Sequence, residues 1–165
     1  KREYYKNLKL LRNHGHKNRD EISIWGYNSR LDSIQAGVAL GMLKDFSKWN
    51  KKIGIVANFY RSNISNPVKH QLINKKAKSV FHNYIIQVPK RDALKNFLLK
   101  NGIDTRIHYP IPIHKQKMFK KKNKYHNLKI TEEQSRNIIS LPIYPEIKIQ
   151  QIKYIVKKIN EFYKN

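Results

Sequence analysis

The chain has 165 residues, enough for one domain with a hydrophobic core or for part of a larger protein. It has no cysteine, which excludes disulfides and thiolate metal sites, and no apolar run reaches the length of a membrane span. Its 35 Lys and Arg against 11 Asp and Glu give a net charge of +24. We expect a soluble cytoplasmic protein without a signal peptide or a metal site.

A charge of this size is typical of nucleic-acid-binding proteins. Only eight of the 35 basic residues are arginine, the residue that makes most specific base contacts, and the lysines are spread along the whole chain among many Asn and Ile. An AT-rich genome produces the same spread at solvated positions. Nucleic acid is therefore the less favoured partner, and a basic nucleic-acid-binding domain stays open as an alternative.

In chain order, the first predicted element is a helix over residues 1–12, with Tyr5, Leu8 and Leu11 on one side. Gly15 is the expected turn residue after it. A polar loop and a short apolar stretch then lead to a long amphipathic helix.

The long helix is indicated by apolar residues that recur at steps of three or four, which is the period of one helix face. They are Leu31, Ile34, Val38, Met42, Phe46, Trp49, Ile53, Val56, Tyr60 and Ile64. Gly37 and Gly41 share one face of this helix, and each costs about 1 kcal/mol relative to Ala. Either the close approach of another backbone offsets that cost, or the two glycines reflect genetic drift.

Polar residues form the predicted start of this helix. Asn28 or Ser29 is the expected N-cap, and Ser29 with Asp32 is a weak form of the capping box. Free backbone N–H groups and the positive end of the helix dipole suit this position to a phosphate. Capping alone is the more common role of such residues, so an anion site is one of two interpretations.

The rest of the chain alternates between strand and helix patterns. Alternation from Val80 to Val88 predicts a half-buried strand, with His82 as a core histidine on its inward face. A helix opened by Pro89 comes next, with Leu94, Phe97 and Leu98 inward, and Asn101-Gly102 ends it. It is followed by a predicted strand over Ile103–His108, a solvated basic loop over 115–124, a helix capped by Thr131 and a strand over Ile138–Leu141. The last predicted helix starts at about Lys148 and buries Ile152, Ile155, Ile159 and Phe162. This order predicts an α/β fold with one sheet on which helices pack.

A stiff loop follows the second predicted strand. Pro110 and Pro112 hold it extended, and it carries His108, Tyr109 and His114. Such a loop either fixes side chains around a ligand or is a surface turn with a packed tyrosine. The residues alone favour neither interpretation.

Four ordered motifs are distinctive. They are Leu11-Arg12-Asn13-His14-Gly15, Gly26-Tyr27-Asn28-Ser29-Arg30-Leu31-Asp32-Ser33-Ile34-Gln35-Ala36, Gly102-Ile103-Asp104-Thr105-Arg106-Ile107-His108-Tyr109-Pro110-Ile111-Pro112-Ile113-His114, and Ser140-Leu141-Pro142-Ile143-Tyr144-Pro145. In this order they resemble the C-terminal half of the DegT/DnrJ/EryC1/StrS family of pyridoxal-phosphate-dependent nucleotide-sugar aminotransferases. The resemblance covers nearly the full chain.

The resemblance implies a fold and a domain organisation. The fold class is α/β, as the C-terminal part of a fold-type I pyridoxal-phosphate-dependent transferase. Residues 1–30 would end the large cofactor-binding domain, residues 31–64 would form a long connecting helix, and residues 65–165 would form a small α/β domain with a short sheet.

The resemblance also implies an activity. Enzymes of this family use pyridoxal 5'-phosphate to transfer an amino group, usually from glutamate, to a nucleotide-linked keto-deoxy sugar, for cell-surface polysaccharide or related glycan biosynthesis. They act as homodimers with shared active sites. The expected partners are therefore a second copy, a nucleotide-sugar substrate and an amino-acid donor, with no membrane.

Five residues match family positions with a function. Asn28 matches the asparagine that reaches the cofactor phosphate across the dimer interface, and Arg30 belongs to the same motif. His108 and Tyr109 match the His-Tyr-Pro stretch near the sugar and its diphosphate, and His114 ends that motif. Asn28 and Arg30 are thus the expected cofactor-binding residues, and the other three are the expected substrate-binding residues.

The chain departs from the family in one respect. The family's Schiff-base lysine lies in a Gly-rich stretch upstream of the Leu-Arg-Asn-His-Gly motif, and no lysine here sits in a matching motif. We therefore assign no catalytic residue and expect this chain alone to be inactive. A further alternative is an inactive remnant that binds a partner subunit through the long helix, with Gly37 and Gly41 in the contact face.

Overall fold

The computed structural model describes residues 2–74, 76–119 and 127–164, and it divides the chain into two compact units, Lys1–Ser47 and Lys48–Asn165. The elements are α1 (Arg2–Leu11), α2 (Ser33–Asn63), β1 (Lys69–His70), β2 (Tyr84–Gln87), α3 (Arg91–Lys100), α4 (Lys129–Asn137), β3 (Ile138–Leu141) and α5 (Ile149–Lys164), with 3-10 turns at Ile113–Lys115 and Lys117–Phe119. The predicted basic loop over 115–124 lies partly outside the described residues. No helix within the described ranges is both long and apolar enough to cross a membrane.

In the first unit, backbone hydrogen bonds join the loop after α1 to the segment before α2. The Tyr27 N–H donates to the Leu11 carbonyl at 2.7 Å, the His14 N–H to the Tyr27 carbonyl at 2.9 Å, and the Ser29 N–H to the Arg12 carbonyl at 2.9 Å. These bonds hold the segment before α2 extended.

The predicted N-cap at Asn28 or Ser29, and the capping box with Asp32, are therefore wrong. The helix begins only at Ser33, and Asn28 pairs with Asn13 in an isolated β-bridge. Pairing with a distant segment fixes the backbone here in an extended form, which is incompatible with a helix start. The local sequence pattern contains no sign of that pairing.

Two glycines make this pairing sterically feasible. Gly15 has a φ of +76°, in the left-handed region, which confirms it as the turn residue. A Cβ added to Gly26 would lie 2.2 Å from the backbone nitrogen of Gly15. The two segments therefore approach each other too closely for a side chain at Gly26.

The long helix is confirmed as α2, but its apolar stripe is buried over only part of its length. Ile34 and Val38 are 83% and 59% exposed, whereas Val56 and Tyr60 are 4% and 0% exposed. The predicted helix over residues 1–12 is confirmed as α1, which, unlike α2, buries none of its side chains. An exposed apolar surface of this extent is typical of an interaction site.

Gly37 and Gly41 have no close neighbours. A Cβ built on either glycine meets no atom within 4 Å. No backbone among the described residues therefore approaches them, and the choice between contact with another chain and genetic drift stays open.

The second unit is built on an antiparallel sheet with the strand order β1-β2-β3. One face of the sheet joins the hydrophobic core with residues of α2, α3 and α5. Fully buried core residues include Tyr60, Tyr84, Ile86, Leu94, Leu98, Ile139 and Ile159. This arrangement confirms the predicted strand over Ile138–Leu141, the inward faces of α3 and α5, and one sheet covered by helices.

The predicted C-terminal stop of α3 is also confirmed. Gly102 has a φ of +74°, and its N–H donates to the Leu99 carbonyl at 3.0 Å. The Ile103 N–H donates to the Leu98 carbonyl at 2.9 Å. This pair of bonds satisfies two carbonyl groups at the helix end, as a C-terminal glycine allows.

Two predictions about strands are wrong. Ile103–His108 forms no strand, because it meets the sheet at a single bridge between Arg106 and Ser140. His82 is exposed rather than part of the core, because β2 begins only at Tyr84.

The start of α4 and the strand β1 also differ from the prediction. Thr131 is not the cap of α4, because that helix begins two residues earlier, at Lys129. Its first turn is already closed by the Glu132 N–H, which donates to the Leu128 carbonyl at 3.0 Å.

The edge strand β1 is only two residues long, and its lysine-rich surroundings give no pattern from which to predict it.

Two buried tyrosines connect α2 to the sheet. The Tyr60 hydroxyl donates to the Pro142 carbonyl at 2.8 Å, and its ring centroid lies 5.2 Å from that of Tyr84. The Tyr84 hydroxyl lies 2.9 Å from His70 Nδ1, and His70 Nε2 lies 3.2 Å from the Ile64 carbonyl oxygen. Burial raises the pKa of Tyr84 to about 12, so its hydroxyl stays protonated near neutral pH and donates to His70 Nδ1.

Replacing Tyr60 tests this connection. We expect Tyr60→Phe to lower the free energy of unfolding by about 1–3 kcal/mol, because it leaves the partly buried Pro142 carbonyl without its donor. Chemical denaturation measures the change. The control is Tyr154→Phe, since Tyr154 is 43% exposed and also donates to a backbone carbonyl. Equal losses in the two variants would contradict a special role for the buried bond.

Candidate functional site

In the first unit, Asn28 and Arg30 are exposed neighbours. The Arg30 Nε donates to Asn28 Oδ1 at 3.4 Å, so the amide nitrogen of Asn28 remains available to a ligand. Arg30 also lines two adjoining cavities of about 560 Å³ and 370 Å³. The charged or ionisable residues that line one or both of them are Tyr5, Lys6, Lys9, Arg12, His14, His16, Lys17, Arg19 and Arg30, and none of the described residues that line them is a carboxylate.

His16 adds an unusual feature to these cavities. Its Nδ1 atom is buried and has no hydrogen-bond partner in the part of the chain that the structure describes. Buried polar atoms are normally paired. The combination of cations and an available amide suits an anion.

In the second unit, His108 is fixed by the sheet. Its Nδ1 lies 2.9 Å from the Ser140 Oγ, and its ring meets the ring of Tyr109 edge-on at 5.6 Å. Tyr109 itself is 73% exposed. The bond to Ser140 orients the imidazole, and Nε2 has no partner among the described residues.

His114 has a different environment. Its Nε2 lies 3.1 Å from Glu132 Oε1, and the Lys115 Nζ lies 3.1 Å from the same oxygen. Hydrogen bonds from His114 and then from Lys115 lower the pKa of Glu132 below its usual value. The contact fastens the end of the proline-containing loop to α4, so the structure brings His108 and Tyr109 together and engages His114 with α4.

The face of the sheet opposite the core carries a groove of about 780 Å³, called here the sheet groove. It is lined by Arg61, Lys69, His70, Gln71, Leu72, Ile85, Gln87, His108, Gln134 and Ile138. Of these residues, the sequence had indicated only His108 as a site residue. The others lie on separate elements, and Lys69 and His70 come from the strand that no periodic pattern predicts.

The chain has the fold of part of the pyridoxal-phosphate-dependent sugar aminotransferases. The structure of S. venezuelae DesV in complex with a ketimine intermediate matches it with a TM-score of 0.93 at 27% identity, over 100% of this chain and 45% of DesV. This match confirms the predicted fold class.

The chain belongs to the DegT/DnrJ/EryC1/StrS aminotransferase family, which matches residues 1–160. A protein of Geobacillus stearothermophilus described as a pleiotropic regulatory protein is 35% identical over 162 residues, which are 95% of this chain and 44% of that protein. The UDP-N-acetyl-3-dehydro-alpha-D-glucosamine 3-aminotransferase of Acidithiobacillus ferrooxidans is 35% identical over 159 residues, which are 95% of this chain and 42% of that enzyme. The chain thus spans less than half the length of these relatives, and the resemblance carried by the four motifs is confirmed.

The Glu132 contacts predict a pH dependence. A carboxyl group with a lowered pKa in the folded state adds stability above its unfolded pKa of about 4.5, and this stability is lost as the pH falls through the folded value. We expect Glu132→Gln to reduce the loss of unfolding free energy between neutral pH and the acid range. Denaturation at a series of pH values measures this slope.

The neighbouring Glu133 is the control for this measurement, because its side chain is exposed and takes no part in the ion pair of His114 with Glu132. Glu133→Gln should keep the acid dependence of the unmodified chain. If both variants behave alike, the contact does not couple Glu132 to folding.

Proposed function

We propose that this chain is the C-terminal portion of an aminotransferase that uses pyridoxal 5'-phosphate to transfer an amino group, from a donor such as glutamate, to a nucleotide-linked keto sugar. The observation that carries the proposal is the match to DesV over the whole chain, together with the exposed Asn28–Arg30 pair beside cation-lined cavities. The name of the Acidithiobacillus ferrooxidans relative supports a nucleotide-linked keto sugar as the substrate class.

The residues of the first unit fit the phosphate of the cofactor. The Asn28 amide donates a hydrogen bond to a phosphate oxygen, and the Arg30 guanidinium adds a positive charge beside it. When bound, pyridoxal phosphate supplies the electron sink for amino transfer.

The residues of the second unit bind and orient the sugar. The Ser140 hydroxyl at Nδ1 fixes the ring of His108, so Nε2 meets the substrate in one orientation. Tyr109 offers an exposed ring and hydroxyl next to it. His114 acts at a distance from the substrate, because its contact with Glu132 positions the loop that carries the other two residues.

The proposal includes a homodimer in which Asn28 serves the active site of the partner. The exposed apolar stripe in the first part of α2 supports it, since such a surface is normally covered. A cytoplasmic location and a role in cell-surface polysaccharide or related glycan biosynthesis belong to the same proposal, and they rest on the family's substrates.

The phosphate role predicts the effect of Asn28→Ala on cofactor retention. In the full-length enzyme that the proposal implies, we expect pyridoxal phosphate to bind roughly tenfold to a hundredfold more weakly, the loss of one hydrogen bond to a charged group. Equilibrium dialysis with absorbance detection of the cofactor measures this without an activity assay. Asn7→Ala, an exposed substitution on α1, is the control. Unchanged retention in Asn28→Ala would argue against the phosphate role.

The dimer predicts the effect of a charge in the stripe. Val38 is 59% exposed, and a carboxylate at this position would be buried without a counter-ion in the interface. We expect Val38→Glu to raise the dimer dissociation constant at least about tenfold, as measured by sedimentation equilibrium. Val80→Glu replaces a valine that is 57% exposed and lies outside the stripe, and it should leave assembly unchanged. A monomeric unmodified protein would contradict the proposal.

A further inference from the structure

Arg91 is a largely buried cation outside the sites described above. It is the first residue of α3, and its side chain is only 9% exposed. Its Nε donates to Asp92 Oδ1 at 2.6 Å, and that carboxylate faces solvent. A guanidinium held so far from water needs hydrogen-bond acceptors inside the protein. Arg91 finds them on other elements rather than on its own helix.

These acceptors lie at the junction between α4 and β3. Arg91 Nη1 donates to the Ser135 carbonyl at 3.2 Å and to the Ile138 carbonyl at 3.1 Å. The first carbonyl belongs to the last turn of α4, and the second belongs to the first residue of β3. A cation at a helix C-terminus pairs with carbonyls that have no partner within the helix, and it interacts favourably with the helix dipole. Arg91 therefore bridges the two elements at the point where the helix ends and the strand begins.

The backbone before Arg91 is strained. Lys90 has a φ of +51°, in the left-handed region, although it is not a glycine. This conformation costs about 1–2 kcal/mol for a residue with a side chain. The Val88 N–H donates to the Asn137 carbonyl at 2.9 Å, so the same turn is tied to the end of α4 a second time. Strain that persists in a turn tied at two points indicates that the contacts with the α4–β3 junction fix the turn.

The proline-containing loop is anchored on both sides of this junction. At one end, His108 Nδ1 lies 2.9 Å from the Ser140 Oγ on β3. At the other end, His114 Nε2 lies 3.1 Å from Glu132 Oε1 on α4. The strand β3 is also held by its pairing with β2, so α4 is the element that depends more on Arg91. A displacement of α4 moves one end of the loop relative to the other.

We propose that Arg91 is a positioning residue for the proline-containing loop. It fixes α4 against β3 and thereby fixes the separation between the two anchors of the loop. The geometry with which His108 and Tyr109 face the sugar depends on that separation. The inference rests on the proposed function, which assigns the sugar to these two residues.

Nuclear magnetic resonance of the imidazole nitrogens tests the coupling in the unmodified chain. Arg91→Met removes the donors and the charge but keeps an apolar stem. We expect the nitrogen chemical shifts of His114 and His108 to change, with the larger change at His114, because these shifts report tautomer and hydrogen bonding. His70 is the internal reference, since its two partners lie on β2 and directly after α2. Its shifts should stay unchanged.

Arg136→Met is the matched control. Arg136 is exposed on α4 and makes no hydrogen bond or ion pair within the described ranges, so this variant should leave all of these shifts unchanged. Arg91→Lys is a second, milder variant, which keeps the charge without the planar fork and should cause smaller changes at the same two histidines. Circular dichroism confirms that the variants are folded.

Three results in these spectra would overturn the proposal. They are unchanged shifts of His108 and His114 in both Arg91 variants, equal changes in Arg91→Met and Arg136→Met, and a change at His70 as large as that at His114. The last result would reduce the effect to a general loss of stability.

Kinetics of the full-length enzyme that the proposed function implies give a second readout. We expect Arg91→Met to raise the Michaelis constant for the keto sugar about tenfold, the size of one hydrogen bond, and to leave that for the amino donor unchanged. Glu132→Gln weakens the anchor of the loop on α4, so combining it with Arg91→Met should add little. Fully additive effects would show two independent routes and would contradict the proposal.

The two readouts separate this inference from the proposed function. If the imidazole shifts respond to Arg91→Met but the Michaelis constant for the sugar ignores both Arg91→Met and His108→Ala, the coupling stands and the sugar role of the loop is rejected. If that constant responds to His108→Ala alone, the positioning role of Arg91 is overturned and the proposed function stands.

Discussion

The chain of contacts from Tyr60 through Tyr84 to His70 is the constraint on which the second unit depends. Each member is polar and at least partly buried, so each must find a partner inside the protein. Those partners lie directly after α2, on the edge strand and on the segment after β3. A pair of strands as short as β1 and β2 is not stable alone. The two side-chain bonds of His70 fasten β1 to β2 and to Ile64, the residue after α2, and they thereby place Lys69 at the groove.

The sequence predicted the elements whose signals are local. The periods of α2 and α5, and the glycine that ends α3, are complete within a few neighbouring residues. The start of α2 was misplaced because the extended form of Asn28 depends on Asn13, and no local pattern records that pairing. The strand β1 was missed because two residues contain no period.

The residues of the candidate site also separate into those that a local motif identifies and those that only the folded structure brings together. Asn28, Arg30, His108 and Tyr109 lie in contiguous motifs, so a resemblance to a family was enough to select them. The sheet groove could not be predicted, because Arg61, Lys69, Gln87 and Gln134 come from four parts of the chain and meet only through strand register and helix packing. The partner of His114 is equally remote, since Glu132 lies on α4 beyond a basic stretch.

The apolar stripe of α2 shows what a period does not reveal. The spacing is the same from Leu31 to Ile64, yet its second part is buried by this chain and its first part is exposed. Periodicity thus predicts that a face is covered, but not by what.

Composition bears on the two interpretations of Gly37 and Gly41. Drift in this chain has filled solvated positions with lysine and asparagine, as its 35 basic residues and high Asn content indicate. The exposed stripe is an exception, because Val38, Met42 and Phe46 are apolar although 59%, 52% and 52% exposed. Solvated positions under the same drift would not stay apolar at every step of one helix face. The glycines share a helix with that stripe, so the composition of the stripe favours contact with another chain over drift.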